Sequence, residues 1–212
     1  MYGVKPRDPD RTRERLLEAG FREIHRQGFQ PASLEAIVDA AHVTKGALYH
    51  HFASKQALGY AVVDEVVGHL LHEHWLGPIE HAGDPLDALI ATIRKASQSE
   101  AVPLGCPLNN LAQEMSGVDE GFQQRIAELY RRWEASVARA LQRGQTQGRV
   151  RRDVDVAVAA TFVVASIAGA LGLAKTRKDP TPLRACAESL TSYLRTLRPE
   201  RPRLKPVRSR RG

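Results

Sequence analysis

Apolar residues recur every three or four positions along most of the chain, the spacing that places them on one face of an α-helix. The first such face combines Leu16, Leu17, Gly20, Phe21 and Ile24. No segment alternates apolar and polar residues in the way that a half-buried strand does. The pattern therefore predicts an all-α protein of nine helices.

The first three helices carry recognisable capping residues at their boundaries. Gly28 follows the first helix, where a glycine can adopt the left-handed conformation that ends a helix. Ser33, Thr44 and Ser54 precede apolar helical runs, and their hydroxyls suit the N-cap position. The second and third helices meet at His42, and two short helices around a tight turn form a helix-turn-helix.

Six further helical segments follow the helix-turn-helix. We expect them at roughly 54–75, 85–100, 107–115, 119–148, 154–175 and 181–197. The chain then divides into a helix-turn-helix domain at 11–55 and a larger helical domain at 56–197. We expect residues 1–10 to be flexible and the basic, proline-containing residues 198–212 to be a disordered tail.

The formal charge of +7 is distributed unevenly along the chain. Residues 1–55 carry nine Lys or Arg and seven Asp or Glu, while residues 198–212 carry seven basic residues against Glu200. The body between them is close to neutral, so the charge permits nucleic-acid binding without demonstrating it. Two cysteines are too few for a disulfide framework, and the charged N-terminus lacks the apolar core of a signal peptide. We therefore expect a cytoplasmic protein.

Residues 156–174 contain no charge and are numerous enough to span a bilayer as a helix. Seven alanines and two glycines make the segment weakly apolar for a span, and a helix buried at a subunit interface has the same composition. The A-x-x-x-G pairs at 165–169 and 168–172 allow another helix to approach closely, and the ninth helix supplies a complementary stripe. We prefer a homodimer interface built from helices eight and nine, with no membrane contact.

The segment HVTKGALYHHFASK, residues 42–55, combines small, basic and aromatic side chains on the short third helix. A helix that docks in the major groove of DNA places its N-terminal residues nearest the bases. Lys45 would bring charge there, Gly46 would let the backbone come close, and Tyr49 would reach a phosphate. On these residues alone, an ordinary capped helix hairpin with solvated lysines explains the segment equally well.

The motif T-K-G-x-L-Y-x-x-F-x-S-K at 44–55 resembles the TetR family of bacterial transcription regulators, and the match extends over about residues 11–58. The resemblance implies a homodimeric repressor that binds double-stranded DNA at a palindromic operator and is released by a small-molecule inducer. It implies that the residues facing DNA are Lys45, Gly46, Ala47, Tyr49 and His50. It implies phosphate contacts by Ser33, Thr44 and Lys55. His42 departs from the glycine that the family often has in the turn, although histidine tolerates a positive φ better than most residues.

The segment GCPLNNLAQE at 105–114 is similar to a G-C-x-x-x-N-L-A-x-E signature of a NemR-like TetR subgroup, some members of which sense electrophiles through the cysteine. Cys106 precedes Pro107 at an expected helix N-terminus, where free amides and the helix dipole favour a thiolate. The resemblance also implies a role for Lys175, because the electrophile-sensing members place a lysine at the corresponding end of helix eight. A sensor cysteine and a small residue that fills a tight turn are both compatible with the sequence.

The larger domain is expected to bind a small organic ligand, because such pockets combine apolar walls with a few polar groups. The candidate ligand-binding residues are Trp75, Cys106, Leu108, Asn109, Leu111, Met115, Phe122, Tyr130, Trp133, Phe162 and Lys175, with Asn110 and Glu114 as further polar groups. A dry core explains each apolar member of this set equally well.

Histidines invite a metal site at two places, but neither place has the spacing of a known motif. His50 and His51 are adjacent and point about 100° apart on a helix, and His69, His72 and His74 complete no carboxylate–histidine motif. We expect no metal, no cofactor and no catalytic residues. A cysteine-dependent enzyme is the weakest alternative, because its nucleophile would need an activating base and an orienting partner.

Overall fold

The helices predicted from the periodicity are present in the computed structural model, which describes residues 9–98 and 104–200. Within these residues the chain forms nine helices and no strand, so the all-α prediction is confirmed. Eight of the helices are α1 Pro9–Gln27, α2 Leu34–Ala41, α3 Lys45–His51, α5 Pro85–Ser97, α6 Pro107–Met115, α7 Glu120–Thr146, α8 Val156–Arg177 and α9 Thr181–Thr196. The remaining helix, α4, is a continuous run of Lys55–Ala61, Val62–Val67, Gly68–Leu71, His72–Leu76 and Gly77–Glu80.

α1 supplies the core of the N-terminal domain. Leu16 and Ile24 are buried on the face that the sequence predicts. Gly28 ends the helix with a φ of 99°, and Phe29 then turns back onto the core, where it is buried. The helix begins at Pro9, inside the segment that was expected to be flexible.

Side-chain caps fix the starts of α2, α3 and α4. The hydroxyls of Ser33, Thr44 and Ser54 accept hydrogen bonds from the backbone amides three residues later, over 3.3, 3.2 and 3.0 Å. Between α2 and α3, His42 adopts a φ of 51° and a ψ of 48°, the left-handed conformation in which glycine is more common. Local hydrogen bonds thus stabilise the helix-turn-helix, and the predicted caps are confirmed.

α4 contains two π-helical stretches, Val62–Val67 and His72–Leu76, that the apolar pattern does not predict. Each π-helical turn rotates the residues that follow it around the helix axis, because its hydrogen bonds span one residue more than those of an α-helix. Leu71 is buried, while Leu70 beside it is only half-buried. The helix also continues to Glu80, beyond its expected end.

α8 packs against α7 and α9 in the C-terminal domain. Val163, Val164 and Ile167 on its inner face are buried. Among the described helices, α8 is the one with the length and hydropathy of a membrane span. Its packing against α7 and α9 accounts for the same composition, since the core helix of a globular domain is also apolar.

Arg198 extends the C-terminal domain past its expected boundary. Its guanidinium pairs with Asp84 at 3.0 Å and with Asp87 at 2.6 Å, and Arg149 reaches the same Asp84 carboxylate at 2.7 Å. Burial opposes ionisation of Asp84, but hydrogen bonds from the two arginines and a backbone amide outweigh it and lower the pKa of this carboxyl. The rest of the expected tail, residues 201–212, lies outside the described residues.

Candidate nucleic-acid interface and ligand cavity

α3 presents most of its surface to solvent. Leu48 is the one buried side chain of this helix, and its burial fixes α3 against the N-terminal core. Lys45 is exposed, and Tyr49 is 48% exposed. A Cβ added to Gly46 would meet no atom closer than the Thr44 hydroxyl at 3.9 Å. The N-terminal turn of α3 can therefore approach another molecule closely.

The other residues predicted to contact DNA are exposed or half-buried. One of them, Lys55, also forms a hydrogen bond within the protein. Ser33 and His50 are exposed, and Ala47 is half-buried. The Lys55 ammonium donates a hydrogen bond to the Gln30 carbonyl at 2.8 Å. Lys55 therefore ties α4 to the turn after α1, and its ammonium retains further N–H donors for a phosphate.

Among the residues that the structure describes, no three His, Cys, Asp or Glu side chains are arranged to hold a metal ion. His50 and His51 contact each other edge to face, with ring centroids 5.1 Å apart. His69 pairs with Glu73 at 3.8 Å, and His74 lines a cavity. These histidines therefore serve as a ring contact, a surface ion pair and part of a cavity wall.

The C-terminal domain contains a two-lobed cavity that reaches α1 of the N-terminal domain. One lobe has a volume of about 490 Å³ and the other a volume of about 310 Å³. The two lobes share the wall residues His74, Trp75, Gly105, Cys106 and Pro107. We call this space the tryptophan cavity, because both tryptophans of the chain, Trp75 and Trp133, belong to its wall.

A larger groove of about 740 Å³ runs between α5 and α9 but is lined differently. Its residues include Arg94, Arg184, Glu188 and Arg195. Pockets for organic ligands are mostly apolar with few polar groups, and the wall of the tryptophan cavity fits that description better. The tryptophan cavity is therefore the candidate ligand site.

The tryptophan cavity brings together four of the predicted ligand residues: Trp75, Cys106, Leu108 and Trp133. The two indole rings lie 4.8 Å apart and are tilted by 45°. Lys175 lies beside the same wall, since a Cβ added at Gly105 would come within 2.9 Å of its side chain. A φ of 76° at Gly105 also explains why a glycine is needed there.

Two predicted polar ligand residues join helices and do not line the tryptophan cavity. The Tyr130 hydroxyl donates to the side-chain oxygen of Asn109 at 3.2 Å, and the Asn109 amide donates to the Ala168 carbonyl at 3.5 Å. Burial, and to a smaller extent the neighbouring Cys106, raises the pKa of Tyr130, so the hydroxyl stays a neutral donor. The pair connects α6, α7 and α8, and Asn110 instead donates to a backbone carbonyl.

The other apolar residues of the predicted set also lie outside the tryptophan cavity. Phe122 packs against Phe29, with ring centroids 4.5 Å apart, where α7 meets the turn after α1. Leu111 and Met115 are buried in the core. Phe162 is 48% exposed on α8. Apolar periodicity selected all four residues, and it does not distinguish a pocket wall from a core or from an outer face.

The structure does not support a reactive thiolate at Cys106 and favours the alternative of a small wall residue. Burial raises the pKa of the thiol, and hydrogen bonds from the amides of Asn109 and Leu108 offset only part of that rise. The helix N-terminus does act in the expected direction, but desolvation is the larger effect. Cys106 is therefore a neutral residue of the cavity wall.

Several wall residues gave no recognisable signal in the sequence. Phe21 and His25 come from α1, which belongs to the N-terminal domain. Thr92 and Lys95 come from α5, and Leu171 comes from α8. Phe21 was visible only as part of the apolar face of α1, a position that indicates core packing. The wall depends on how helices distant in sequence meet, which local patterns do not encode.

α6 is connected to the N-terminal domain before its first turn and again near its last turn. The Gly105 carbonyl, just before α6, accepts a hydrogen bond from Nε2 of His25 at 3.0 Å. The Glu114 carboxylate accepts hydrogen bonds from the backbone amides of Phe29 and Gln30, both at 2.8 Å. Glu114 is therefore not a polar group of the tryptophan cavity, and it holds the turn between α1 and α2.

Two family descriptions match most of the chain. Residues 16–62 match bacterial regulatory proteins of the tetR family, and residues 82–190 match the tetracyclin repressor-like C-terminal domain. The HTH-type transcriptional repressor DhaR of Mycobacterium sp. (strain GP1) is 26% identical over 179 residues, which cover 81% of this chain and 86% of DhaR. The relatives matched are regulators and not enzymes.

Solved structures share the same architecture. A TetR-family regulator from Cytophaga hutchinsonii has a TM-score of 0.83 at 21% identity and covers 93% of this chain and 100% of its own. The reduced form of E. coli NemR has a TM-score of 0.77 at 23% identity, and the match covers 89% of this chain and 97% of NemR. At these identities the likeness shows the fold and not a NemR-like subgroup. The family matches at the two domains establish that the chain belongs to the TetR family of bacterial transcriptional regulators.

Proposed function

We propose that this protein is a homodimeric transcriptional repressor that binds a palindromic DNA operator and is released when a small organic ligand enters the tryptophan cavity. The observation that carries the proposal is the exposed N-terminal turn of α3, capped by Thr44 and anchored by Leu48. The family, and the repressor DhaR among the relatives, support repression over activation. This function implies a cytoplasmic location.

The DNA contacts divide into two groups. The residues that face the major groove from α3 are Lys45, Gly46, Ala47, Tyr49 and His50. The residues that contact phosphates are Ser33, Thr44 and Lys55. Hydroxyls at helix N-termini and an ammonium suit an anion, while a docked helix turns its N-terminal residues toward the bases. Exposure of the α3 N-terminal turn supports this division.

The outer surface of α8 supports a homodimer through α8 and α9. Its exposed residues include a stripe of apolar or small side chains at helical spacing: Val158, Phe162, Ala165, Gly169 and Leu173. Gly169 faces open space, so a second helix can come close to its backbone. Phe162 contacts Tyr193 of α9 edge to face with ring centroids 4.9 Å apart, which extends the stripe to α9. Contiguous exposed apolar surface marks an interaction site.

A two-fold axis through this stripe would bring the same residues of both copies together. The two α3 helices would then be related by the same axis. Each helix reads one half of the site, so the operator is an inverted repeat.

α6 offers a direct route from the tryptophan cavity to the N-terminal domain. Cys106 and Pro107 belong to the cavity wall and begin α6, while Glu114 near the other end binds two amides of the turn after α1. A ligand that displaces α6 would also displace that turn and change the position of α3. The ligand favours release only if it binds the resulting arrangement more tightly than the DNA-bound one.

Selection of bound duplexes from random DNA tests the proposed function. We expect the purified full chain to enrich an inverted repeat whose half-sites are about one helical turn apart, or a multiple of it. The variant Gly117→Ala controls for the effect of a substitution away from the interface, because Gly117 has open space around it. We expect this variant to enrich the same repeat. Failure to enrich any sequence, or enrichment of a single unrepeated element, would contradict the proposal.

A further inference from the structure

We infer that the tryptophan cavity binds an aromatic weak acid, a flat apolar molecule that carries a single negative charge. The inference rests on the proposed function, because it names the ligand class for the same cavity. Three observations support it. They are the aromatic wall, the lack of carboxylates among the described wall residues, and two lysines without ion pairs.

The wall of the tryptophan cavity suits a flat ring. Trp133 is buried and Trp75 is half-buried beside it, and Phe21, Leu70 and Leu171 add apolar surface. Aromatic rings gain energy from offset or edge-to-face contacts with other rings, beyond the burial of their area. The lobes of about 490 and 310 Å³ lie within the range of about 300–1,000 Å³ that is usual for small organic ligands.

The charges at the cavity are positive. No described residue of its wall carries a carboxylate. Lys95 belongs to the wall, and Lys175 lies against Gly105 of the wall. Neither lysine forms an ion pair with a described residue. A ligand that carries a negative charge would therefore meet two cations that no described residue pairs with.

Two acidic residues near the wall, Glu73 and Glu114, have other partners among the described residues. Glu73 precedes His74 of the wall, but it pairs with His69 at 3.8 Å. Glu114 lies on α6, but its carboxylate accepts hydrogen bonds from two backbone amides of the turn after α1. Neither of these two acids therefore forms an ion pair with Lys95 or Lys175.

The electrostatic environment of His25 agrees with this arrangement. Burial is the main cause that lowers the pKa of its imidazole, the hydrogen bond to the Gly105 carbonyl opposes that effect, and the charge of Lys175 lowers the pKa further. The positive charge of Lys175 therefore acts on the wall of the cavity. A cationic ligand would meet the same repulsion, while an anionic ligand would be attracted.

Three matched probes test the inference: 3-phenylpropionate, 3-phenylpropanol and 3-phenylpropylamine. They share the ring and a three-carbon chain, and they differ in the terminal group, which is negative in the carboxylate, neutral in the alcohol and positive in the ammonium. Intrinsic tryptophan fluorescence reports binding directly, because both tryptophans of the chain line the cavity. We expect the carboxylate to bind at least about tenfold more tightly than the ammonium, with the alcohol between them.

Two lysine variants assign the charge preference to the cavity. Lys95→Met and Lys175→Met should each weaken binding of the carboxylate severalfold and leave binding of the alcohol unchanged. Arg94→Met is the matched control, because Arg94 neighbours Lys95 in sequence but lines the groove between α5 and α9. Glu100→Gln is a second control, because this acid lies two residues after Gln98 of the cavity wall. Its removal should not change the order in which the three probes bind.

The outcomes separate this inference from the proposed function. Tighter binding of the ammonium, an order that Glu100→Gln reverses, or an equal loss for all three probes in Lys95→Met would overturn the inference and leave the cavity as a ligand site. No fluorescence change with any probe would overturn both the inference and the assignment of the cavity as the ligand site. Operator binding, measured separately with the same protein, decides the DNA-binding half of the proposed function.

Discussion

The N-terminal turn of α3 and the tryptophan cavity are built in opposite ways. The turn is a short, local structure whose cap, Thr44, and anchor, Leu48, lie within five residues of each other in the chain. The cavity wall is assembled from six helices, and its residues extend from Phe21 to Leu171. The comparison indicates that one short segment of sequence can determine a DNA-binding surface, while a ligand cavity depends on the packing of the whole fold.

The two regions also differ in what a glycine does. Gly46 of α3 faces open space, so a side chain there would meet a binding partner but not the protein. Gly105 of the cavity wall has a positive φ and no room for a Cβ beside Lys175 and Asn110. We therefore expect Gly46 to serve binding and Gly105 to serve folding, and substitutions can separate the two roles.

We expect the largest change in free energy from a substitution in the α8 stripe. The proposed dimer forms through this stripe, and it positions both α3 helices and both cavities. Gly169→Arg would place a charge without a partner in an apolar interface, at a cost of about 3–5 kcal/mol to dimerisation. Sedimentation equilibrium should then show monomers, while circular dichroism stays unchanged because Gly169 has open space around it in the protomer. Gly117→Arg, at another open glycine, is the control. A dimer that survives Gly169→Arg unweakened would exclude this interface.

The connection between the two regions is tested by Glu114→Gln. In the wild type both backbone amides donate to the carboxylate, whereas the glutamine retains one acceptor oxygen and presents an NH2 group to the second amide. The free energy of unfolding in urea should therefore fall by about 1–3 kcal/mol. Glu128→Gln is the control, because Glu128 forms an exposed ion pair with Arg131 and should change stability by less than about 0.5 kcal/mol. Equal stability of the two variants would show that the Glu114 contacts do not hold the N-terminal domain.

The glycine comparison is tested most sharply by Gly46→Ala. Operator affinity should fall by about 1–2 kcal/mol, because the added methyl group keeps the backbone of α3 away from the DNA. The free energy of unfolding should rise slightly, since alanine favours a helix. Anisotropy titrations and urea unfolding measure the two quantities on the same protein.

Gly105→Ala should give the reverse result. The left-handed backbone and the contact with Lys175 should lower the free energy of unfolding by about 1–2 kcal/mol, with little effect on intrinsic operator affinity. If both variants lost stability, or both lost only DNA binding, the contrast between the two glycines would be wrong.

The smallest effect is a pH dependence of stability that arises from His25. Burial lowers the pKa of this residue below its ordinary value of 6.5, so below that pH the unfolded chain binds more protons than the folded one. Its contribution to stability is complete above 6.5 and is lost as the pH falls toward the folded pKa. Urea unfolding at about pH 7 and about pH 5.5 should therefore show a smaller loss in His25→Gln than in the wild type. Equal losses in both proteins would contradict this assignment.

The sequence predicts the N-terminal domain well because its signals are local. Ser33, Thr44 and Ser54 cap the helices that they precede, and His42 adopts the left-handed conformation expected of the turn. The periodicity also predicts the nine helices, since each has an apolar face. It does not predict the π-helical stretches of α4, because no spacing rule marks the extra residue.

The candidate ligand site is less predictable for a physical reason. Trp75 and Trp133 line the cavity, but Phe122 and Met115 belong to the same predicted set of apolar residues and lie in the core. Lys95 gave no signal, because a lysine on an amphipathic helix is normally solvated. The sequence places Cys106 at a helix N-terminus but does not reveal its burial, which is the larger effect on the pKa of its thiol.

The central claim is that this protein recognises a specific DNA sequence through α3. The most direct measurement is a fluorescence-anisotropy titration of the wild-type protein with the selected inverted repeat and with a scrambled duplex of equal length, at physiological salt. We predict a preference of about a thousandfold or more for the repeat, the lower end for specific regulators. Equal, weak binding to both duplexes would mean that charge alone supplies the affinity, and it would contradict the assignment of α3 as the recognition helix.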